Sequence, residues 1–148
     1  MDEDRLRWIY SATNDNELRE RYQSWANEYD ADLADMGWLA PWAAAERVVH
    51  HAGTTARILD AGCGTGLVGL ALHELGVRRL VGFDLSPAML DVALARDVYD
   101  DVVEGSLLDP LPFERGSFDA VVSVGVFTHG HVGPAGLAGL PTVIRPGG

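Results

Sequence analysis

The chain has 148 residues, of which 47% are hydrophobic and 22% charged, and its formal net charge is −11. This length suits one domain with its own core, and the composition excludes a disordered chain. The acidic charge disfavours a nucleic-acid partner, because phosphate binding needs clustered basic side chains. With one cysteine, no secretion signal and no membrane-spanning apolar run, the sequence predicts a cytoplasmic protein without a membrane partner.

The first 55 residues predict a helical segment of their own. Over residues 16–33 the apolar side chains recur every three or four positions, as on one face of an amphipathic helix; they are Leu18, Tyr22, Trp25, Tyr29 and Leu33. This face either packs on the domain or closes over a ligand as a lid, with Trp25 and Tyr29 in contact with it. A second helix is predicted over residues 43–51, with Pro41 in its first turn.

Residues 58–66 read Ile-Leu-Asp-Ala-Gly-Cys-Gly-Thr-Gly, and they predict a buried strand, a tight turn and the start of a helix. Glycine lets a ligand approach the backbone closely, and the helix directs free N–H groups at it. Asp60 adds a carboxylate at the carboxyl end of the strand, where open α/β sheets bind ligands. The stretch therefore predicts a nucleotide-type cofactor.

Strands and helices alternate from this stretch onward. Strands are predicted over residues 57–61, 79–84, 101–105 and 118–124, and helices over 67–75, 86–97 and, weakly, 134–144. Ser86 is the expected N-cap of the second of these helices, with Pro87 at its first position. The alternation predicts an α/β fold with a doubly wound parallel sheet. We expect residues 1–55 to form a cap or lid and residues 56–148 the cofactor-binding core.

Two cofactors compete for this core. Residues 64–69 satisfy G-x-G-x-x-G, the dinucleotide fingerprint, with Asp84 near the distance of its ribose-binding acid. That interpretation predicts an NAD-dependent oxidoreductase. However, the Asp60 carboxylate would repel a pyrophosphate and attract the ammonium group of an amino acid. A cofactor with both a ribose and an amino-acid end, such as S-adenosylmethionine, suits both acids.

Four stretches, in the right order, resemble motifs of the class I S-adenosylmethionine-dependent methyltransferases: residues 59–66, residues 82–90, residues 111–113 together with 116–122, and residues 145–148. The resemblance covers nearly everything from residue 56 onward and implies a Rossmann-like fold. Because the family fold has seven strands, it also implies that the C-terminal strands are missing and that the open edge of the fourth strand allows self-association. Residues 22–30 and 126–132 are similar, more narrowly, to the small methyltransferase-like group encoded in the Williams–Beuren syndrome region.

The resemblance also implies where S-adenosylmethionine or S-adenosylhomocysteine would bind. Asp60 and residues 62–66 would hold the methionine end, Asp84 the ribose, and Leu85 and Met89 the adenine. Ser106 stands where the family often has an acid against the adenine amino group, and its hydroxyl can accept without a charge. The cofactor contacts expected in full are Trp25, Tyr29, Asp60, Ala61, Gly62, Cys63, Gly64, Gly66, Asp84, Leu85, Met89, Ser106, Leu107 and Ser123.

The function expected from this resemblance is in-line methyl transfer to a small molecule, without a metal ion. Phe127, Thr128 and His131 would contact the acceptor, and His129 is either a general base or a structural residue. Cys63 is expected to be a small residue that the turn requires rather than a nucleophile. The alternatives are a non-catalytic S-adenosylmethionine-binding protein and, less favoured, the oxidoreductase.

Overall fold

The computed structural model describes residues 7–9, 11–26, 28–35, 37–127 and 132–148. Within these ranges the helices are α1 (Asp15–Trp25), α2 (Tyr29–Asp35), α3 (Ala40–Ala52), α4 (Leu67–Glu74), α5 (Pro87–Ala95) and α6 (Leu140–Val143), with a 3₁₀ helix at Pro134–Leu137. The strands are β1 (Arg57–Ala61), β2 (Arg79–Asp84), β3 (Asp101–Glu104) and β4 (Ala120–Val122). In the described part of the chain, no helix is long and apolar enough to cross a membrane.

The strands form one parallel sheet in the order β3-β2-β1-β4. Strand β1 lies inside the sheet, where Leu59 is opposite Val81 of β2 and Val121 of β4. All four strands point the same way, so their carboxyl ends meet at one edge of the sheet. The structure confirms the predicted Rossmann-like α/β fold.

The side chains of β1 alternate between two apolar cores, one on each face of the sheet. Ile58 packs in the core that α3, α4 and α5 cover, whereas Leu59 and Ala61 pack in the core that includes α6. All three are fully buried. Burial on both faces explains why β1 is apolar at most positions rather than alternating.

The helix predicted over residues 16–33 is two helices in the structure, because the chain turns between Trp25 and Tyr29. The N–H of Glu28 donates to the carbonyl oxygen of Trp25 at 2.9 Å, and the Trp25 indole donates to Asp32 of α2 at 2.6 Å. Trp25 and Leu33 are nonetheless buried, as the periodicity predicts. The apolar pattern continues across the turn, so periodicity alone does not reveal it.

Strand β4 is shorter than predicted, and an isolated bridge precedes it. The strand was expected to continue to residue 124, but it ends at Val122. At the next position the hydroxyl of Ser123, and not a backbone group, donates to the carbonyl oxygen of Ala61 at 2.7 Å. Two residues before β4, Phe118 pairs in parallel with Ile144 of the same chain. The predicted strand over residues 118–124 is therefore paired on this side at Phe118, and an open edge along β4 itself stays a prediction.

Candidate functional site

The end of β2 holds the glycine turn that follows β1. The backbone N–H groups of Gly62 and Cys63 both donate to the carbonyl oxygen of Phe83, at 2.7 and 3.1 Å. The N–H of Gly64 donates to Oδ2 of Asp84 at 2.8 Å. Three consecutive N–H groups of the turn are thus fixed by two residues of the neighbouring strand.

Gly64 leaves open space at the centre of this turn. Its φ is +53°, and a Cβ built there would meet no other atom within 4 Å. At Gly62 a Cβ would lie 2.2 Å from Cγ2 of Val126, so the segment after β4 packs directly on the turn. Glycine is therefore required at Gly62 by packing, and at Gly64 it lets a ligand reach the backbone.

Asp84 is the acid at the carboxyl end of β2. Its Oδ1 accepts from the N–H of Ser86 at 2.9 Å, and its Oδ2 accepts from Gly64. Burial raises the pKa of Asp84, and the backbone hydrogen bonds act in the opposite direction. Each carboxylate oxygen can accept more than one hydrogen bond, so Asp84 can still accept from the hydroxyl groups of a ligand.

A cavity opens over the glycine turn and Asp84. It contains about 660 Å³ of empty space, part of which is open to solvent. The structure brings eight of the predicted site residues to its wall: Tyr29, Gly62, Gly64, Asp84, Leu85, Met89, Ser106 and Leu107. Both polar and apolar surfaces therefore face one space at the carboxyl edge of the sheet.

Other predicted site residues do not line this cavity. Trp25 is buried beneath it, with its ring 4.6 Å from that of Tyr29, centroid to centroid. Phe127 packs against the core that contains Leu59. Ala61, Cys63, Gly66 and Ser123 lie in or beside the turn without reaching the wall. Thr128, His129 and His131 lie outside the described residues, so their assigned roles stay predictions.

Asp60 faces away from the cavity, into the core on the other side of the turn. Its carboxylate is fully buried, and its Oδ2 accepts from the Tyr99 hydroxyl at 2.7 Å. Burial raises the pKa of Asp60 to about 7; the Tyr99 hydroxyl lowers it and the charge of Asp84 raises it. A direct contact between Asp60 and the methionine end of a cofactor stays a prediction.

Cys63 has the environment of a packed side chain. Burial raises the pKa of its thiol, and the carboxylates of Asp60 and Asp84 raise it further. A thiol with a raised pKa holds little thiolate near neutral pH and is a poor nucleophile. In the described ranges, no group of three or more His, Cys, Asp or Glu side chains is placed to hold a metal ion.

The cavity wall also contains residues for which the sequence predicted no ligand contact. The helical face predicted Leu18 and Tyr22 as packing residues, and both line the cavity. Asp15 lines it as well, although an acid at the start of a helix is ordinarily read as a favourable end charge. Their contribution depends on how the N-terminal helices dock, which helical periodicity does not reveal. The remaining unassigned wall residues are Phe83, Gly105, Val124, Gly125, Val126 and Val132.

A polar network ties α2 to the glycine turn. Nε of Arg96 donates to the carbonyl oxygen of Thr65 at 2.6 Å, and its Nη2 pairs with Oδ2 of Asp30. The Thr65 hydroxyl donates to the other oxygen of Asp30. Because Asp30 follows Tyr29 directly, this network fixes α2 where Tyr29 reaches the cavity.

The sequence of this core matches one described protein family. The family described as "Methyltransferase domain" matches residues 58–148, from β1 to the last residue, which is more than half of the chain. The chain belongs to this family. The S-adenosylmethionine-dependent methyltransferase type is thereby confirmed at the level of family and fold, and S-adenosylmethionine is the cofactor that both imply.

Individual relatives agree with this assignment. Human methyltransferase-like protein 27 is 38% identical over 131 residues, which cover 86% of this chain and 53% of that protein. A bovine 18S rRNA (guanine-N(7))-methyltransferase is 49% identical over 67 residues, covering 45% of this chain and 24% of that protein. The chain thus spans about half of the human relative and a quarter of the bovine one.

A solved structure shows the same fold. A candidate S-adenosyl-L-methionine-dependent methyltransferase of Methanococcus maripaludis superposes with a TM-score of 0.68 at 20% identity, covering 88% of this chain and 60% of that chain. At this identity the similarity concerns the fold alone. The narrower resemblance to the group encoded in the Williams–Beuren syndrome region stays a prediction.

The relatives correct one sequence-based prediction. The acidic net charge was expected to exclude a nucleic-acid partner, and the resemblance implied a small-molecule acceptor. This exclusion is wrong, because 18S rRNA methyltransferases are among the relatives. Net charge is a sum over the chain, whereas phosphate binding depends on local groups of basic side chains. An acidic cofactor-binding unit therefore does not exclude an RNA acceptor.

The cavity fits the implied cofactor in its polar groups and its apolar walls. Open space lies over Gly64, where backbone can meet a ligand, and Asp84 offers charged acceptors next to it. Leu85, Met89 and Leu107 supply apolar wall. These are the surfaces that a ribose with an attached flat base requires.

Proposed function

We propose that this chain is the cofactor-binding unit of an S-adenosylmethionine-dependent methyltransferase. The observation that carries the proposal is the cavity at the carboxyl edge of the sheet, where Gly64, Asp84 and an apolar wall converge. Open α/β sheets bind nucleotide-type ligands at this edge. S-adenosylmethionine supplies a methyl group on a positively charged sulfur, so the donor is already activated.

The residues of the cavity would mainly position and enclose the cofactor. Asp84 would accept hydrogen bonds from both ribose hydroxyls, and Leu85, Met89 and Leu107 would enclose the base. Tyr29 and Tyr22, on the N-terminal helices, would cover the site and exclude water. Alignment of the methyl carbon with its acceptor and exclusion of water are the main demands of an in-line transfer.

The acceptor and its contacts belong to this proposal as well. Phe127, Thr128 and His131 would contact the acceptor, with His129 as the base for an acceptor that must lose a proton. RNA belongs among the acceptors to be assayed, since the 18S rRNA (guanine-N(7))-methyltransferases share up to 49% of their residues with this chain over the matched segment.

A calorimetric titration with S-adenosylhomocysteine and NADH tests the cofactor. We expect saturable binding of S-adenosylhomocysteine and none of NADH; the reverse would contradict the proposal. Transfer of a labelled methyl group to RNA or to other cell extract fractions then tests catalysis. Cofactor binding without transfer to any fraction would favour a non-catalytic binding protein.

A further inference from the structure

The cavity has a polar end formed by two residues from distant parts of the chain. The Ser106 hydroxyl, in the segment after β3, donates to Oδ2 of Asp15 at the start of α1, and both residues line the cavity. The same hydroxyl oxygen accepts from the N–H of Leu108 at 3.2 Å. The pair closes the cavity on the side of β3.

The order of the strands places this pair beside Asp84. Glu104 of β3 is opposite Asp84 of β2, and the N–H of Gly105 donates to the Asp84 carbonyl oxygen at 2.9 Å. Neighbouring strands lie about 4.8 Å apart. Along the carboxyl edge, the glycine turn, Asp84 and Ser106 therefore follow one another in steps of one strand. A ligand whose ribose lies on Asp84 would extend its base toward Ser106 and Asp15.

The pair can only accept hydrogen bonds from a ligand. A hydroxyl has one proton, and the proton of Ser106 is used by Asp15. An ionised carboxylate has no proton to donate. At this end of the cavity, Asp15 and Ser106 therefore offer a ligand only lone pairs. They would attract a donor group on the ligand and repel another acceptor.

The backbone around Asp15 is held firmly. Asn14 caps α1 by accepting from the N–H of Glu17 at 3.0 Å, and the Glu17 carboxylate accepts from the N–H of Thr13 at 3.0 Å. One turn later Arg19 pairs with Glu104 at the end of β3. Asp15 therefore projects from a fixed helix end at the base side of the cavity.

We infer that Asp15, together with Ser106, recognises the 6-amino group of adenine and rejects a 6-oxo purine. This inference rests on the proposed function, since it assigns a specificity residue for the cofactor of that same site. The amino group carries two protons, one for each acceptor, whereas the 6-oxo group of hypoxanthine presents only lone pairs. Ser106, in the segment after β3, carries no charge. Asp15, at the start of α1, thus supplies the negative charge at this end of the cavity.

Binding of two analogues tests this assignment. Calorimetry on the full chain compares S-adenosylhomocysteine with its 6-oxo counterpart, S-inosylhomocysteine. We expect the wild type to prefer the adenine form by roughly 10- to 100-fold, as a hydrogen bond to a charged group implies. In Asp15→Asn the amide can donate to the 6-oxo group, so we expect this ratio to fall to near one.

Matched variants distinguish recognition of the base by Asp15 from a contact that only holds α1 against β3. Arg19→Gln removes the neighbouring link between α1 and β3 without touching the cavity, and we expect its ratio to equal that of the wild type. Ser106→Asp in the Asp15→Asn background returns a carboxylate to the same place and should restore the ratio. If Asp15→Asn does not fold, Ser106→Ala tests the same assignment, because it removes the second acceptor and should lower the ratio by a smaller factor.

The outcomes are distinct. An Asp15→Asn variant that binds both analogues more weakly by the same factor would overturn the assignment and leave the proposed function standing. A wild type without preference between the analogues would do the same. A wild type that binds neither analogue would overturn the proposed function and the assignment together.

Discussion

The hydroxyl of Tyr99 donates a 2.7 Å hydrogen bond to Oδ2 of Asp60 inside the core beneath the glycine turn. Burial is the largest cause of the raised pKa of Asp60, which is about 7. An aspartate in an unfolded chain has a pKa of about 3.9. Between about pH 4 and pH 7 the folded protein therefore binds more protons here than the unfolded chain, and the stability contributed by Asp60 is lost as the pH rises through that window.

Replacement of Asp60 by Asn tests this linkage, because the amide has nearly the same shape and does not titrate. We expect the difference in unfolding free energy, wild type minus Asp60→Asn, to fall by about 1 kcal/mol per pH unit from pH 5 to pH 7 and to level off above that. Urea unfolding of both proteins at each pH measures it. A difference that does not change with pH would show that Asp60 titrates in its ordinary range.

Cofactor affinity should depend more on the carboxylate of Asp84 than on any other side chain of the cavity wall. Asp84→Ala would remove charge-assisted hydrogen bonds of about 1.5–3 kcal/mol, so we expect S-adenosylhomocysteine to bind at least about tenfold more weakly. Calorimetric titration gives the affinity, and circular dichroism shows whether the variant folds, since Asp84 also holds Gly64 and Ser86. A folded variant with unchanged affinity would remove Asp84 from the site.

The sheet could be predicted from sequence because its signals are local. The run that includes Ile58, the Ser86-Pro87 helix start and the alternation of strands with helices each depend on neighbouring residues, and the structure has β1 and β2 at their predicted bounds. Ser86 caps α5, accepting from the N–H of Met89 at 3.4 Å, as expected. The glycine turn and Asp84 were predictable for the same reason.

The rest of the site could not be predicted, because it depends on docking between distant segments. Asp15 and Ser106 meet across 91 positions of sequence, and Thr65 meets Asp30 across 35. No pattern in either segment reports such a pairing. Asp60 shows the converse: its position at a strand end suggested a ligand contact, yet its neighbour in the fold is Tyr99. The alternation along β1 places Asp60 on the face opposite Leu59 and Ala61, where Tyr99 packs.

The network of Asp30, Arg96 and Thr65 should control how firmly α2 covers the cavity. We expect Arg96→Gln to speed amide hydrogen exchange in α2 and to weaken binding of S-adenosylhomocysteine a few-fold. The ion pair is partly exposed, so a double-mutant cycle with Asp30→Asn should give a coupling energy of only about 0.5–1 kcal/mol.

A remote ion pair provides the control for this network. Arg145 pairs with Asp119 beside the start of β4, and neither residue lines the cavity. Arg145→Gln should therefore leave both the exchange of α2 and the cofactor affinity unchanged. Equal effects of Arg96→Gln and Arg145→Gln on affinity would show that the network does not position the helix over the site.

Gly64 and Gly53 form a pair that isolates the space over the glycine turn. Both have positive φ, +53° and +78°, and at neither would a Cβ meet an atom within 4 Å. Gly53 ends α3 and does not line the cavity, whereas Gly64 does. Alanine at Gly64 should cost about 1 kcal/mol of stability or slightly more, because L-residues disfavour positive φ. Alanine at Gly53 should cost more, because its ψ of 171° places it in a region that is essentially restricted to glycine.

Only Gly64→Ala should impair cofactor binding, since its methyl group would occupy the space through which a ligand reaches the backbone. We expect S-adenosylhomocysteine to bind at least about tenfold more weakly to Gly64→Ala, a change of about 1.4 kcal/mol, and with wild-type affinity to Gly53→Ala. Urea unfolding checks that both variants remain folded and that Gly64→Ala is not the less stable of the two, and calorimetry gives the affinities. If Gly64→Ala bound the ligand as tightly as Gly53→Ala, the open space over the turn would not be where the cofactor lies.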